Sequence, residues 1–90
     1  MARTYTRIQL EVWANRDFLE LTPGAQWLYL HLVTTNTNNA GVLDWKPSRV
    51  ALKALGATPS DVEEWALELV EANFIVIDRA SEEVLIRTWI

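Results

Sequence analysis

The sequence predicts a single small α+β domain. Its ninety residues suit one domain better than two, and half of them are hydrophobic, which is an ordinary globular composition. Three segments repeat hydrophobic residues at helical spacing, and two segments near the C-terminal end are rich in β-branched residues, as strands are. We therefore expect helices followed by a β-hairpin, built over a modest core.

The N-terminal third predicts an extended arm, a helical turn and a long helix. Residues 5–13 (YTRIQLEVW) alternate apolar and polar side chains, which is typical of a strand or arm. Asn15 is a suitable cap for a short helical turn. Thr22 and Pro23 then begin the first clear helix, which the polar run 34–39 ends. The apolar stripe of this helix consists of Ala25, Leu28, Tyr29, Leu32 and Val33.

The middle of the chain predicts a very short strand and two further helices. Residues 41–43 (GVL) indicate the strand. Pro47 begins a short helix, which Gly56 is expected to end. Its buried face comprises Val50, Ala51, Ala54 and Leu55. Thr58 and Pro59 begin the third helix. That helix has an apolar stripe of Val62, Trp65, Ala66, Leu69 and Val70.

The C-terminal segment predicts a hairpin and completes the fold class. Residues 74–78 (FIVID) and 84–90 (VLIRTWI) are the expected strands, and residues 79–83 form the loop between them. An arm, three helices with a tiny strand among them, and a terminal hairpin follow one another in the order of a winged helix-turn-helix domain. The glycine-containing turn 55–59 between the second and third helices is typical of helix-turn-helix units. We expect residues 1–90 to form one such domain, the N-terminal part of a longer protein.

The composition argues against an enzyme, a cofactor and a metal. The chain has no cysteine, which excludes disulfides, thiolate metal sites and cysteine nucleophiles. His31 is the one histidine and has no second metal ligand near it in the sequence. The chain also lacks a glycine-rich phosphate loop and an apolar run long enough to cross a bilayer. We expect a binding module that is not attached to a membrane.

Charge divides the chain into two unlike parts. The formal net charge is −4. Residues 1–53 contain six basic and four acidic residues, a charge of +2, whereas residues 54–90 contain two basic and eight acidic residues, a charge of −6. The first part therefore suits a polyanion and the second a basic partner.

The basic part predicts contacts with DNA phosphates. Arg49 and Lys53 are one helical turn apart on the second helix, and Lys46 lies at its beginning. The plain alternative is that short helices carry solvated charges without any ligand. The full candidate set for nucleic-acid binding adds the arm, the first helical turn and the hairpin loop, and comprises Arg3, Arg7, Arg16, Lys46, Arg49, Lys53 and Arg79.

The third helix predicts the opposite behaviour. In a helix-turn-helix protein this helix enters the major groove, but here residues 54–78 contain no Lys or Arg and five carboxylates on or beside the helix. Repulsion from phosphate disfavours base reading by such a helix. The alternative function is a protein-interaction or dimerisation module that uses this acidic helix or an exposed strand edge. The candidate partner-binding residues are Asp61, Glu64, Glu68 and Trp89.

Three tryptophans lie outside the clean helical stripes, which leaves two interpretations. Trp13, Trp45 and Trp89 either pack in the core or at an edge, or one of them marks a partner surface.

Taken together, the spacing of residues along nearly the whole chain resembles a family of DNA-binding proteins. The similar positions are Trp13, Phe18, Leu21, Ala25, Gln26, Tyr29, Leu32, Gly41, Val42, Leu43, Arg49, Ala51, Glu83, Leu85, Ile86 and Arg87. They resemble the N-terminal winged helix-turn-helix domains of replication-initiator (replisome-organiser) proteins from actinobacteriophages and their hosts. The resemblance implies binding of double-stranded DNA in the bacterial host cytoplasm, in replication or transcription regulation. The protein partner of the alternative would be a phage or host protein, or a second copy.

Overall fold

Four helices and a three-stranded antiparallel sheet form a small α+β unit in the part of the chain that the structure describes. This computed structural model describes residues 14–35, 42–54 and 56–87. The predicted arm over residues 5–13, which includes Arg7 and Trp13, lies outside these ranges. Arg3, Leu55 and Trp89 lie outside them too. The elements in chain order are α1 (Arg16–Leu19), α2 (Pro23–Thr35), β1 (Val42–Asp44), α3 (Pro47–Ala51), α4 (Pro59–Glu71), β2 (Ile75–Asp78) and β3 (Glu83–Ile86).

Side-chain caps fix the starts of α1 and α4, which confirms two predicted helix boundaries. The Asn15 carboxamide oxygen accepts a hydrogen bond from the Phe18 N–H at 2.9 Å. At α4, Thr58 Oγ1 accepts from the Asp61 N–H at 3.1 Å, and Asp61 Oδ2 accepts from the Thr58 N–H at 2.9 Å. This reciprocal pair satisfies two backbone donors that a helix start otherwise leaves unbonded.

Helix α3 is shorter than the sequence predicts. It ends at Ala51 and not at Gly56. The backbone N–H groups of Lys53 and Ala54 bond to carbonyls three residues back, at 2.9 and 3.2 Å, so the chain tightens into turns. Gly56 still has the positive φ of 85° that favours glycine in the turn before α4.

The sheet brings the first strand against the last. Strand β3 lies between β1 and β2, and Leu85 of β3 is opposite both Val42 of β1 and Val76 of β2. The strands predicted at residues 41–43, 74–78 and 84–90 are confirmed within the described ranges, with β2 beginning at Ile75 and β3 covering Glu83–Ile86. Arg87 continues the pairing through its N–H, which donates to the Phe74 carbonyl oxygen at 2.9 Å, and residues 88–90 lie outside the described ranges. Residues directly opposite one another share a face of the sheet, so the sheet has an inner and an outer face.

The core lies between the inner sheet face and the helices. Tyr29 of α2 is at its centre, with its ring centroid 5.8 Å from that of Phe18 and 5.3 Å from that of Phe74, both in edge-to-face geometry. Trp45 is 3% exposed, so its packing interpretation is the correct one. None of the helices in the described ranges is long and apolar enough to cross a membrane.

Candidate nucleic-acid interface

A groove between the end of α2, β1 and α3 gathers basic side chains. Its volume is about 240 Å³, and we call it the α3 groove. Three of the predicted phosphate-contacting residues line it, although they come from the loop before α3, from α3 itself and from the turn after it. The lining residues are His31, Thr35, Asp44, Lys46, Arg49, Val50 and Lys53.

Two of these cations are free to meet a ligand. Arg49 and Lys53 are exposed, while Val50 and Ala51 between them are buried against the core. Burial of this apolar face turns Arg49 and Lys53 outward. Neither side chain forms a hydrogen bond or an ion pair with any residue in the described ranges.

Lys46 lies in the same groove but already has a partner. Its Nζ is 2.9 Å from Glu82 Oε1 in the hairpin turn, and the Trp45 N–H donates to the Glu82 carbonyl oxygen at 2.7 Å. These two contacts connect the segment before α3 to the hairpin. The ion pair is partly exposed, so it is weak enough for a ligand to exchange with it.

His31 and Thr35 reach the groove from the last turns of α2. The imidazole of His31 stacks on the Trp27 ring at 5.1 Å between centroids and 8° between planes. Burial first, and the positive charge of Lys53 second, lower the pKa of His31 below its ordinary value. The imidazole is therefore mainly neutral at pH 7 and adds little positive charge to the groove.

Two other described residues of the predicted set lie elsewhere. Arg16 is exposed on α1 and is not among the described residues that line the α3 groove. Arg79 is paired with Glu63, with Nη1 2.9 Å from Oε2. The structure thus groups Lys46, Arg49 and Lys53 and leaves Arg16 and Arg79 apart. The structure also places His31 and Thr35 in the α3 groove, and no local sequence pattern associates these two residues with α3.

The acidic residues of α4 are largely used within the fold. Asp61 forms the cap described above. Glu63 accepts from the Trp45 indole N–H at 3.1 Å in addition to its ion pair with Arg79. Glu68 accepts from both the N–H and the hydroxyl of Thr22, each at 2.7 Å, and so caps the beginning of α2 from another helix. These three carboxylates are structural.

The outward face of α4 has no basic residue. Ser60, Glu64, Leu67 and Glu71 are exposed at intervals of four, three and four residues, which places them in one line along the helix. We call this line the α4 stripe. Two carboxylates and a leucine that is 55% exposed dominate it.

A second groove, lined by carboxylates, separates α1 from the end of α4. It has a volume of about 510 Å³ and shares no lining residue with the α3 groove. Its lining residues are Asp17, Glu20, Leu21, Glu68, Glu71, Ala72 and Asn73, and we call it the α1–α4 groove. The described residues therefore contain separate basic and acidic surfaces.

Comparison with known proteins identifies no relative. No protein-family model matches the chain, no curated protein matches it, and no solved structure matches it. In the described ranges, no group of three or more His, Asp or Glu side chains is placed to hold a metal ion. The α3 groove is therefore the feature from which a function can be inferred.

Proposed function

We propose that this protein is a winged-helix domain that binds double-stranded DNA, and that it does so mainly through phosphate contacts in the α3 groove. The observation that carries the proposal is the meeting of Lys46, Arg49 and Lys53 at one groove, two of them without a partner in the described ranges. Each phosphate that such a group neutralises releases a condensed counterion, which favours binding.

The arrangement of elements supports the winged-helix assignment. Strand β1 precedes α3 and α4, the β2–β3 hairpin follows them, and β1 pairs with β3 at the sheet edge. The hairpin is then the wing. The resemblance to phage replication-initiator domains supports a role in replication or transcription regulation in the bacterial cytoplasm.

The α4 stripe favours binding with little sequence preference. Glu64 and Glu71 would face the phosphates on both sides of a major groove, where negative charge is repelled. Arg, Lys, Asn and Gln, which make the bidentate contacts to guanine and adenine, are absent from the stripe, and its carboxylates can accept only from cytosine. Phosphate contacts give affinity without sequence information.

A titration of labelled random duplex DNA, followed by fluorescence anisotropy at two salt concentrations, tests the proposal. Three phosphate contacts give a slope of about −2.7 in log affinity against log salt, so raising salt from about 50 to about 150 mM should weaken binding about 20-fold. Replacing Arg49 and Lys53 by Gln should reduce the magnitude of that slope by about 2.

Arg16→Gln/Arg87→Gln is the matched control, because it removes two exposed positive charges that do not line the α3 groove. The DNA affinity of this control should stay within about twofold of that of the unaltered protein. The two removed charges would act on DNA in the α3 groove only over a distance at which salt screens them. Equal weakening by both double variants, or binding that does not respond to salt, contradicts the proposal.

A protein-interaction module is the second candidate, and the α1–α4 groove favours it. Asp17, Glu20 and Glu71 are exposed there and would meet a basic partner. Binding of an arginine-rich peptide that is lost in Glu20→Gln/Glu71→Gln, together with no DNA binding at low salt, would support this candidate over the first.

A further inference from the structure

The outer face of the sheet carries two parallel rows of side chains. Val42, Leu85 and Val76 are register partners across the three strands and form an apolar row. Two residues along each strand, a second row is formed by the register partners Asp44, Glu83 and Asp78. Because side chains alternate between faces, both rows lie on the same side of the sheet. We call this surface the outer sheet face.

The apolar row is open, in contrast to the inner face. Val76 is 43% and Leu85 is 41% exposed, whereas Ile75, Val84 and Ile86 on the inner face are at most 4% exposed. A depression of about 250 Å³ lies along the two rows. Its lining residues are Val42, Val76, Asp78, Glu83, Val84 and Leu85.

The carboxylate row has no bonded cation within the described ranges. Asp78 Oδ1 accepts from the N–H groups of Ala80 and Ser81, and Glu83 Oε1 accepts from the Ser81 hydroxyl, all neutral donors. None of the three carboxylates forms an ion pair within the described ranges. The face is therefore apolar along one row and anionic along the next, with Arg87 exposed beyond Leu85 on the far side of the apolar row. Asp44 lies at the edge that this face shares with the α3 groove.

The dimensions of the two rows fit a helix that lies across the strands. Three strands spaced by about 4.8 Å give rows about 10 Å long, and two residues along a strand separate the rows by about 7 Å. Positions i, i+4 and i+7 of an α-helix also span about 10 Å and form a single stripe. A second stripe of side chains, next to the first on the surface of the same helix, would lie over the carboxylate row.

Charge complementarity selects the chemistry of this helix. The carboxylate row repels DNA, and a second copy of this chain, which has a net charge of −4, would bring the same carboxylates if the two outer sheet faces met. We infer that the outer sheet face binds an amphipathic helix of a partner protein, one whose apolar stripe is flanked by lysine or arginine. Apolar contact supplies the affinity and the cations fix the orientation.

A designed peptide provides the test. The probe is a fluorescein-labelled helical peptide of about 18 residues, with leucines in one stripe and lysines in the adjacent stripe. We expect binding with the largest methyl chemical-shift changes at Val42, Val76 and Leu85. A peptide of the same composition with the stripes scrambled should bind at least about tenfold more weakly.

Charge-neutral variants separate this face from the rest of the acidic surface. Asp44→Asn/Asp78→Asn/Glu83→Gln keeps the acceptor oxygens of the hairpin and removes three charges, so we expect about tenfold weaker peptide binding. The matched control removes three exposed carboxylates of α1 and α4 and should change binding by less than about twofold. It is Glu20→Gln/Glu64→Gln/Glu71→Gln.

Three results would overturn the inference. The first is no binding of the striped peptide at about 100 μM, a concentration well above the dissociation constant of a functional docking site. The second is equal weakening by the two triple variants. The third is a set of shift changes centred on the α1–α4 groove and not on the outer sheet face.

Discussion

Helices α3 and α4 both begin at a proline and both carry several charges, yet they use those charges differently. In α4, Asp61 caps its own helix, and Glu63 and Glu68 bond to groups on other parts of the fold. Arg49 in α3 and Lys53 in the turn after it have no hydrogen-bond or ion-pair partner among the described residues. The number of charges on a helix therefore does not reveal its function, because a charge that is already bonded within the molecule is not available to a ligand.

The largest expected effect is a loss of stability on substitution at the close contact between Gly24 of α2 and Trp65 of α4. A Cβ atom at Gly24 would overlap the indole ring of Trp65. Gly24→Ala should therefore lower the free energy of unfolding by about 1–3 kcal/mol, measured by urea denaturation. At an unobstructed helix position the same substitution would stabilise the protein by up to about 1 kcal/mol, so a gain in stability would contradict the close contact. The penalty should largely disappear in a Trp65→Leu background.

The next effect tests whether the acids of α4 are structural. Glu68→Ala removes the acceptor for two donors of Thr22 and should cost about 1–2 kcal/mol of the free energy of unfolding. Glu64→Ala, on the outward side of the same helix, should change it by less than about 0.5 kcal/mol. If urea denaturation shows that both variants lower the free energy of unfolding equally, the carboxylate that bonds within the fold and the outward one contribute equally to stability, contrary to this expectation.

The corresponding test on α3 should leave stability unchanged. Arg49→Gln/Lys53→Gln removes no hydrogen bond or ion pair in the described ranges, so the free energy of unfolding should stay within about 0.5 kcal/mol. The same variant should lose most of its salt-dependent DNA affinity in the anisotropy titration. A marked loss of stability would show that these cations also serve the fold.

The smallest expected effect concerns the pKa of His31, which burial and the charge of Lys53 both lower. Lys53→Gln removes the charge repulsion and should raise the pKa of His31 toward 6.5, as followed by NMR titration of the imidazole Cε1–H. In the unaltered protein the unfolded chain takes up this proton at higher pH than the folded chain does. The free energy of unfolding should therefore fall as pH drops from about 6.5 to the lowered pKa, and this contribution should level off below it.

DNA binding supplies a further check on the same histidine. The negative charge of a phosphate in the α3 groove would stabilise the protonated imidazole of His31. Of the other groups that line the groove, Asp44 would act in the same direction and the cations Lys46, Arg49 and Lys53 would oppose it. The pKa of His31 should consequently rise on binding, and affinity should increase as pH is lowered through it. An unchanged titration of His31 in the complex would place the phosphates elsewhere.

Local signals in the sequence predict the elements well. Asn15 and Thr58 are caps whose side chains bond within three residues, so their effect is visible in a short window. Pro23, Pro47 and Pro59 begin helices at the predicted positions. The early end of α3 could not be predicted in the same way, because several residues before Gly56 can adopt either a helical or a turn conformation.

Long-range contacts determine the site, and the sequence does not reveal them. Glu68 and Thr22 are 46 residues apart, and Lys46 and Glu82 are 36 apart. The joint position of His31 and Lys53 at one groove depends on how α2 and α3 each pack against α4, which no periodicity specifies. Sequence alone therefore predicted the basic residues as one group and could not separate the paired cations from the free ones.

The α4 stripe has a consequence for design and for evolution. The side chains of Ser60, Glu64, Leu67 and Glu71 form no hydrogen bond or ion pair in the described ranges, whereas Glu63 and Glu68 on the flanks of the helix bond to other parts of the molecule. New side chains can therefore be installed at these four positions with little loss of stability. On the proposed function, four substitutions to Arg, Asn or Gln would be a short mutational route from phosphate contact alone to recognition of a chosen DNA site.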